Sequence, residues 1–277
     1  MTCTRPWLYK LKDGSIIELP CGRCMSCRIQ KRNEWKIRLE NELEYWKEAC
    51  FITLTYADEW LPQGGNLIKK DVQLFIKRLR DSIKPVKIKI FYCGEYGDEN
   101  LRPHYHLIIF GWRPELKDLY LHHVKNGKKR YCSKTLDKLW IFGINNVGVC
   151  EPESIQYVCG YTTKKLFGPK AEEVYGDRTH PFMHCSKGLG LRYAIDNADK
   201  IKKDLTIIRK GKAVGLPAYY KRKLEIDPEL IIKKAKDREV ARNNKHYADK
   251  DEVEIHHLVR GDRIQREKNL DWKEKNK

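Results

Sequence analysis

Apolar positions along the chain follow two spacings, and each predicts its own kind of element. Over residues 28–49, Ile29, Leu39, Leu43 and Trp46 recur at helical spacing among charged neighbours, the mark of an amphipathic helix. Residues 50–56 are β-branched and aromatic, and they predict a buried strand that ends at Ala57-Asp58 and a Pro62–Asn66 loop. Residues 69–83 return to helical spacing, with Val72, Phe75, Ile76 and Leu79 on one side and Pro85 as the stop. Residues 86–93 and 105–112 predict a second and a third strand, joined by a polar turn over 94–103. After a charged excursion, Ser133 caps a short helix to Trp140, and residues 144–150 form a fourth strand. Pro152 opens a helix through about Leu166, residues 167–181 read as a loop, and the chain beyond Pro228 is a charged, mostly helical tail. This order suits an α+β fold, a central antiparallel sheet with helices packed mainly on one face, and not a doubly wound parallel sheet. The expected divisions are a Cys-rich leader and basic helix (1–49), a central domain (50–225) and the tail (226–277).

Composition narrows the function. The 277 residues carry 56 Lys and Arg against 38 Asp and Glu, a formal charge of +18, and 41% are hydrophobic, enough for a packed core. The basic excess is not a detachable tail: residues 198–277 hold 23 basic and 15 acidic side chains, so most of the surplus sits in the rest of the chain. Such a surface attracts polyanions, nucleic acid first among them. No apolar run approaches the roughly 20 residues of a membrane helix, and the N-terminal residues lack the apolar segment of a secretory signal. The expected location is a cytosol, where ten cysteines are reduced thiols or metal ligands.

His104-Tyr105-His106 lies in the third predicted strand, so the two imidazoles share a face while Tyr105 takes the other. Glu95 lies nine residues earlier in the turn or strand end, where hairpin pairing can bring it beside them. Two hydrogen-bonded surface histidines are the plain reading. The other is a divalent cation site, Mg²⁺ or Mn²⁺, with positions open to phosphate oxygens.

Tyr157 and Tyr161 share a face of the helix from Pro152, and Lys164 and Lys165 extend it by one turn. Tyrosines at this spacing are commonly core residues. Beside lysines that can neutralise a phosphate, they can also act as nucleophiles on a phosphodiester, giving a phosphotyrosine that conserves the bond energy. The chain has no G-x-x-x-x-G-K-[ST] motif, which agrees with chemistry that needs no nucleotide. Gly160 between the tyrosines costs about 1 kcal/mol in a helix interior.

These residues resemble those of the HUH endonuclease superfamily and, more narrowly, the replication initiators of the Microviridae, single-stranded DNA phages, in their gokushovirus branch. The resemblance rests on Cys21-Gly22-Arg23-Cys24-Met25-Ser26-Cys27-Arg28, Cys50–Tyr56, Cys93-Gly94-Glu95-Tyr96-Gly97, Arg102-Pro103-His104-Tyr105-His106 and Tyr157-Val158-x-x-Tyr161-x-Thr163-Lys164-Lys165, with a weaker stretch at 216–224. Tyr105 and Gly160 depart from the usual pattern, which has a more hydrophobic centre and often a basic residue at those places. The resemblance implies rolling-circle replication by a two-tyrosine nickase and strand transferase. It would cut the phage origin, hold the 5′ phosphate on tyrosine and leave a 3′ hydroxyl for the host polymerase. Its partners would be single-stranded DNA, the double-stranded replicative form and a host helicase, with no membrane, in the bacterial cytoplasm. The alternatives are an HUH transposase or relaxase, and a non-enzymatic zinc-cluster protein that binds nucleic acid.

Cys3, Cys21, Cys24 and Cys27 supply four thiols. A structural Zn²⁺, an iron–sulfur cluster and plain reduced thiols are all open readings. Arg28, Lys31, Arg32, Lys36 and Arg38 on the following helix either touch DNA phosphates or form a solvated face.

Overall fold

The computed structural model describes residues 3–10, 14, 16–97, 100–125, 127–164, 169–209, 211–246 and 250–275. By its internal contacts the chain divides into two units, residues 35–193 and, separately, residues 1–34 with 194–277. In chain order the elements are β1 (Trp7–Lys10), β2 (Ile16–Leu19), α1 (Met25–Leu43), β3 (Ala49–Tyr56), α2 (Lys69–Ser82), β4 (Lys89–Tyr96) and β5 (Pro103–Phe110). There follow β6 (Leu119–Lys125), β7 (Lys128–Ser133), α3 (Lys134–Leu139), β8 (Gly143–Val149), α4 (Pro152–Lys164), α5 (Pro169–Tyr175) and β9 (Phe182–Cys185). The last are α6 (Leu191–Asp196), α7 (Ala198–Asp204), β10 (Thr206–Arg209), β11 (Lys212–Gly215), α8 (Ala218–Lys223), α9 (Pro228–His246) and α10 (Glu252–Lys275).

The larger unit is an α+β fold on a seven-stranded antiparallel sheet, in the order β6-β7-β8-β3-β5-β4-β9. The period of two along each strand sorts side chains between two layers. Ile52, Leu54 and Tyr56 on β3 and Tyr105, Leu107 and Ile109 on β5 pack with Val72, Phe75 and Leu79 of α2, Leu136 of α3 and Ala171 and Tyr175 of α5. This face meets the expectation of helices gathered on one side. The opposite face carries a second layer, in which Phe91, Ile108 and Phe110 pack with Trp35 and Leu39 of α1 and Ile155, Val158 and Cys159 of α4. Glu42 of α1 is buried and fully engaged, accepting from Trp46 Nε1 (2.8 Å) and Gly190 N (2.6 Å) and pairing with Lys89 Nζ (2.8 Å).

Local chemistry places several elements as expected. The Ser133 hydroxyl accepts from Leu136 N at the start of α3. The four apolar residues of α2 are the ones it buries. Three differences are informative. Residues 169–175, within the segment expected as a loop, form α5; Pro169 takes the first helical position, and Ala171 and Tyr175, one turn apart, are both buried. The charged excursion is the β6–β7 hairpin, an edge whose side chains are largely exposed, so no burial signal marks it. Strand β4 starts and ends three residues later than expected, because Gly94 belongs to the strand and not to a turn. A Cβ on Gly94 would stand 2.8 Å from the Phe182 ring of β9, so the glycine admits a close neighbour.

Tyr105, the polar departure at the centre of the histidine motif, is wholly buried with its hydroxyl satisfied. It accepts from Ile68 N (2.8 Å), donates to Ile68 O (3.0 Å) and meets the Tyr56 hydroxyl at 2.9 Å. Tyr56 in turn donates to Asp71 Oδ2 (2.7 Å), so one network joins β3, β5 and the entry to α2. Replacing Tyr105 by Phe strands both Ile68 backbone groups and should cost about 1–3 kcal/mol in urea denaturation. Unchanged stability would show that the network contributes nothing net.

The smaller unit holds two antiparallel hairpins, β1–β2 and β10–β11, with α7 to α10 and the first turns of α1. Within it Arg263 reaches Glu18 (3.1 Å) and Lys234 donates to Lys203 O (2.7 Å). The charged tail is helical, as expected. Among the described residues no helix is long and apolar enough to cross a membrane.

Candidate active site

The register of three strands assembles the site. On β5, His104 and His106 share a face, and β4 sets Glu95 directly opposite His104 and Cys93 opposite His106. On the other flank, β3 sets Thr55 opposite His104 and Thr53 opposite His106. Each threonine hydroxyl lies 3.0 Å from the Nδ1 of its histidine. These bonds fix both ring orientations and leave the Nε2 atoms as the unpinned nitrogens. His106 Nε2 meets Glu95 Oε1 at 3.2 Å, and both residues are buried. The His104 ring centroid is 6.4 Å from that of His106. A Cβ on Gly97 would stand 3.1 Å from His104 Nε2, so the glycine keeps that nitrogen clear. Burial lowers the His104 pKa and the nearby Glu95 carboxylate opposes that shift, so its imidazole favours the neutral, ligand-competent form.

Glu95 is therefore a strand residue, not a turn residue, and the antiparallel register alone puts it beside the imidazoles. Two imidazoles anchored from behind and one carboxylate form the donor set of an open divalent site, and on this geometry they fit Mg²⁺ or Mn²⁺.

Helix α4 crosses the same face of the sheet. Ile155, Val158 and Cys159 bury one side of it against Phe91, Ile108 and Phe110, and that seating carries the tyrosines to the histidines. The Tyr161 ring stacks on His106, with centroids 4.5 Å apart and planes 8° from parallel. Tyr157 meets His106 edge-on at 5.6 Å, and Phe51 of β3 closes the cluster at 6.0 Å from Tyr157. The Tyr161 hydroxyl donates to that of Tyr157 at 2.5 Å. The two are otherwise unlike. Tyr157 is 54% exposed and Tyr161 only 9%. Burial raises the Tyr161 pKa, and Glu95 and Tyr157 beside it add to the rise. A Cβ on Gly160 would meet nothing within 4 Å, and α4 runs unbroken through it.

The structure thus brings together Glu95, His106, Tyr157 and Tyr161, with His104 on the same face. Lys164 ends α4, but its side chain and the whole of Lys165 lie outside the described residues. Thr53 and Thr55 were missed by sequence reasoning; their spacing of two matches that of the histidines, and only the β3–β5 register reveals the pairing. Among the basic residues of α1, Arg38 is corrected. It is buried, donates twice to Leu189 O (3.2 and 3.0 Å) and lies 4.0 Å over the Trp35 ring, so it holds α1 in place and cannot reach a phosphate. Lys36 donates to Gln156 Oε1 at 2.7 Å, tying α1 to α4. Arg32 bonds its neighbour Asn33, and Lys31 is exposed.

Comparison with known proteins agrees with the geometry. Residues 49–166 match the family model for the replication-associated protein ORF2. The replication-associated protein ORF2 of Spiroplasma virus 4 is 31% identical over 78% of this chain and 71% of its own length. Replication-associated protein VP4 of Bdellovibrio phage phiMH2K is 31% identical over 76% of this chain and 68% of its length. Replication-associated protein ORF4 of Chlamydia phage 1 shows the same identity over 77% and 55%. No solved structure matches the chain significantly. With a third of its residues shared across most of its length, and with the histidine strand and tyrosine helix both inside the matched span, the chain belongs to the family of phage replication-associated proteins.

Proposed function

We propose that the chain starts rolling-circle replication by nicking DNA at the phage origin and transferring the cut strand through a 5′-phosphotyrosine. The observation that carries this reading is the stacking of Tyr161 on His106, with Tyr157 at the same imidazole. A buried core would not need two phenols, two imidazoles and a carboxylate at one place. Glu95, His104 and His106 would hold Mg²⁺ or Mn²⁺, which when bound draws charge from the non-bridging oxygens of the scissile phosphate.

The chain's own residues do the rest. The Tyr157 oxygen, the more exposed of the two, attacks phosphorus. The Oη–P bond forms, the bond from phosphorus to the 3′ oxygen breaks, and the phenolic proton leaves through water as the 3′ oxygen becomes a hydroxyl. Tyr161 donates a hydrogen bond to the attacking oxygen and stabilises charge developing there. After one circuit of synthesis by the host polymerase, with strands opened by a host helicase, Tyr161 cuts the regenerated origin. The freed 3′ hydroxyl then attacks the first phosphotyrosine and closes a circle. Lys164 and Lys165, one turn beyond the tyrosines in sequence, would neutralise phosphate. The formal charge of +18 supplies affinity for single- and double-stranded DNA without reading sequence.

The test is a labelled single strand carrying the origin, incubated with the full chain and Mn²⁺ and then denatured. Wild-type protein is expected to yield a protein–DNA adduct resistant to denaturation. The Tyr157→Phe/Tyr161→Phe double variant should yield none while binding the strand with affinity within a few-fold of wild type. An adduct in the double variant would place the nucleophile elsewhere, and none in wild type would refute the reading.

A further inference from the structure

The smaller unit gathers four cysteines that the nicking chemistry does not use. Cys3 and Cys21 flank the β1–β2 hairpin, Cys24 immediately precedes α1, and Cys27 lies in its first turn. Their sulfurs all lie within 4.8 Å of one another, with Cys3 and Cys24 3.8 Å apart and Cys21 and Cys27 4.0 Å apart. We propose that these four thiolates hold one structural Zn²⁺, which fastens the base of the hairpin to the start of α1.

Three independent features support a single ion. The first is distance: zinc–sulfur bonds of about 2.3 Å in a tetrahedron put neighbouring sulfurs about 3.8 Å apart, close to the two separations found. An iron–sulfur cluster seats its thiolates on separate irons and spreads them more widely. The second is the turn Cys21-Gly22-Arg23-Cys24. Gly22 has φ +71°, a conformation that favours glycine, and the turn aims the backbone N–H groups of Arg23 (3.5 Å) and Cys24 (3.3 Å) at Cys21 Sγ. Cys21 N likewise donates to Cys3 Sγ at 3.3 Å. Donors converging on sulfur suit thiolates rather than thiols, and the positive end of a 19-residue helix adds to this at Cys24 and Cys27. The third is need. Trp7, Leu8, Tyr9 and Ile16 of the hairpin are all exposed, and a two-stranded hairpin with no core of its own is marginal in water. With four protein ligands the site is closed to substrate, so its role is folding and not catalysis. Binding displaces one proton from each thiol, and the binding free energy becomes folding free energy of this unit.

The experiment is metal analysis of the full chain purified under reductant. One Zn²⁺ per chain is expected, retained by the Tyr157→Phe/Tyr161→Phe variant and lost by Cys3→Ser and by Cys21→Ser, which lie outside the helix. Replacing zinc with Co²⁺ should give the strong thiolate-to-cobalt absorption and visible bands of a tetrahedral four-sulfur site. No zinc and no cobalt bands in the reduced wild-type chain would overturn the proposal. So would full zinc content in both serine variants, or paired disulfides among these cysteines with no metal bound. None of these readouts depends on nicking, so the two readings stand or fall separately.

Discussion

Tyr157→Phe is expected to lower the rate of first cleavage by about 10³-fold or more, since it deletes the attacking oxygen outright. Tyr161→Phe should lower it by no more than about tenfold, the worth of one hydrogen bond donated to that oxygen. The asymmetry follows from where α4 sets the two rings. Tyr157 is 54% exposed at the edge of the histidine face, where a phosphate with flanking sugars can approach. Tyr161 is nearly buried, clamped flat on His106, with its hydroxyl given to Tyr157. It can attack only after that packing loosens, which suits a second cut made after the first tyrosine is occupied. Single-turnover adduct formation on an origin strand measures the first step, and joining of a nicked strand measures the second. Tyr161→Phe should fail the joining assay while still forming adduct. If Tyr157→Phe forms adduct at the wild-type rate and Tyr161→Phe forms none, the order is reversed.

Much of this site can be read from local patterns. The period of two puts His104 and His106 on one face, and the period of 3.6 puts Tyr157 and Tyr161 on one side of α4; both arrangements are present. What local pattern cannot supply is register across strands. Glu95 looks like a turn residue because Gly94 precedes it, and only packing against Phe182 explains a glycine inside β4. Thr53 and Thr55 look like ordinary strand residues until β3 is aligned with β5. The meeting of α4 with β5 is a contact between residues some 50 positions apart, fixed by Ile155, Val158 and Cys159 settling on Phe91, Ile108 and Phe110. Arg38 shows the reverse error. Its charge suggested DNA, yet its guanidinium is spent on a backbone carbonyl and a tryptophan ring. Exposed hairpins such as β6–β7 leave little trace, since neither face is deeply buried.

The histidine face can be tested without dismantling the fold. His106→Ala would leave Glu95 buried without its partner and remove the ring on which Tyr161 rests, so lost activity could reflect lost structure. His106→Gln is the sharper variant. Its amide can still donate to Glu95 and reach the Thr53 hydroxyl, and its volume is close to that of histidine, so stability should stay within about 1 kcal/mol of wild type. The imidazole donor is gone, however, and an uncharged amide is a poor substitute on a divalent cation. A bound cation is worth several kcal/mol of charge stabilisation in the transition state, and each 1.36 kcal/mol is a factor of ten, so nicking should fall by about 10³-fold. Binding of the origin strand should change little, because phosphate contacts to Lys and Arg carry it. Mn²⁺ titration followed by calorimetry should show weakened binding in His106→Gln and in Glu95→Gln alike. A His106→Gln protein that nicks at the wild-type rate in Mn²⁺ would mean that the imidazole stacked on Tyr161 serves only to position that ring, and the cation would have to sit elsewhere.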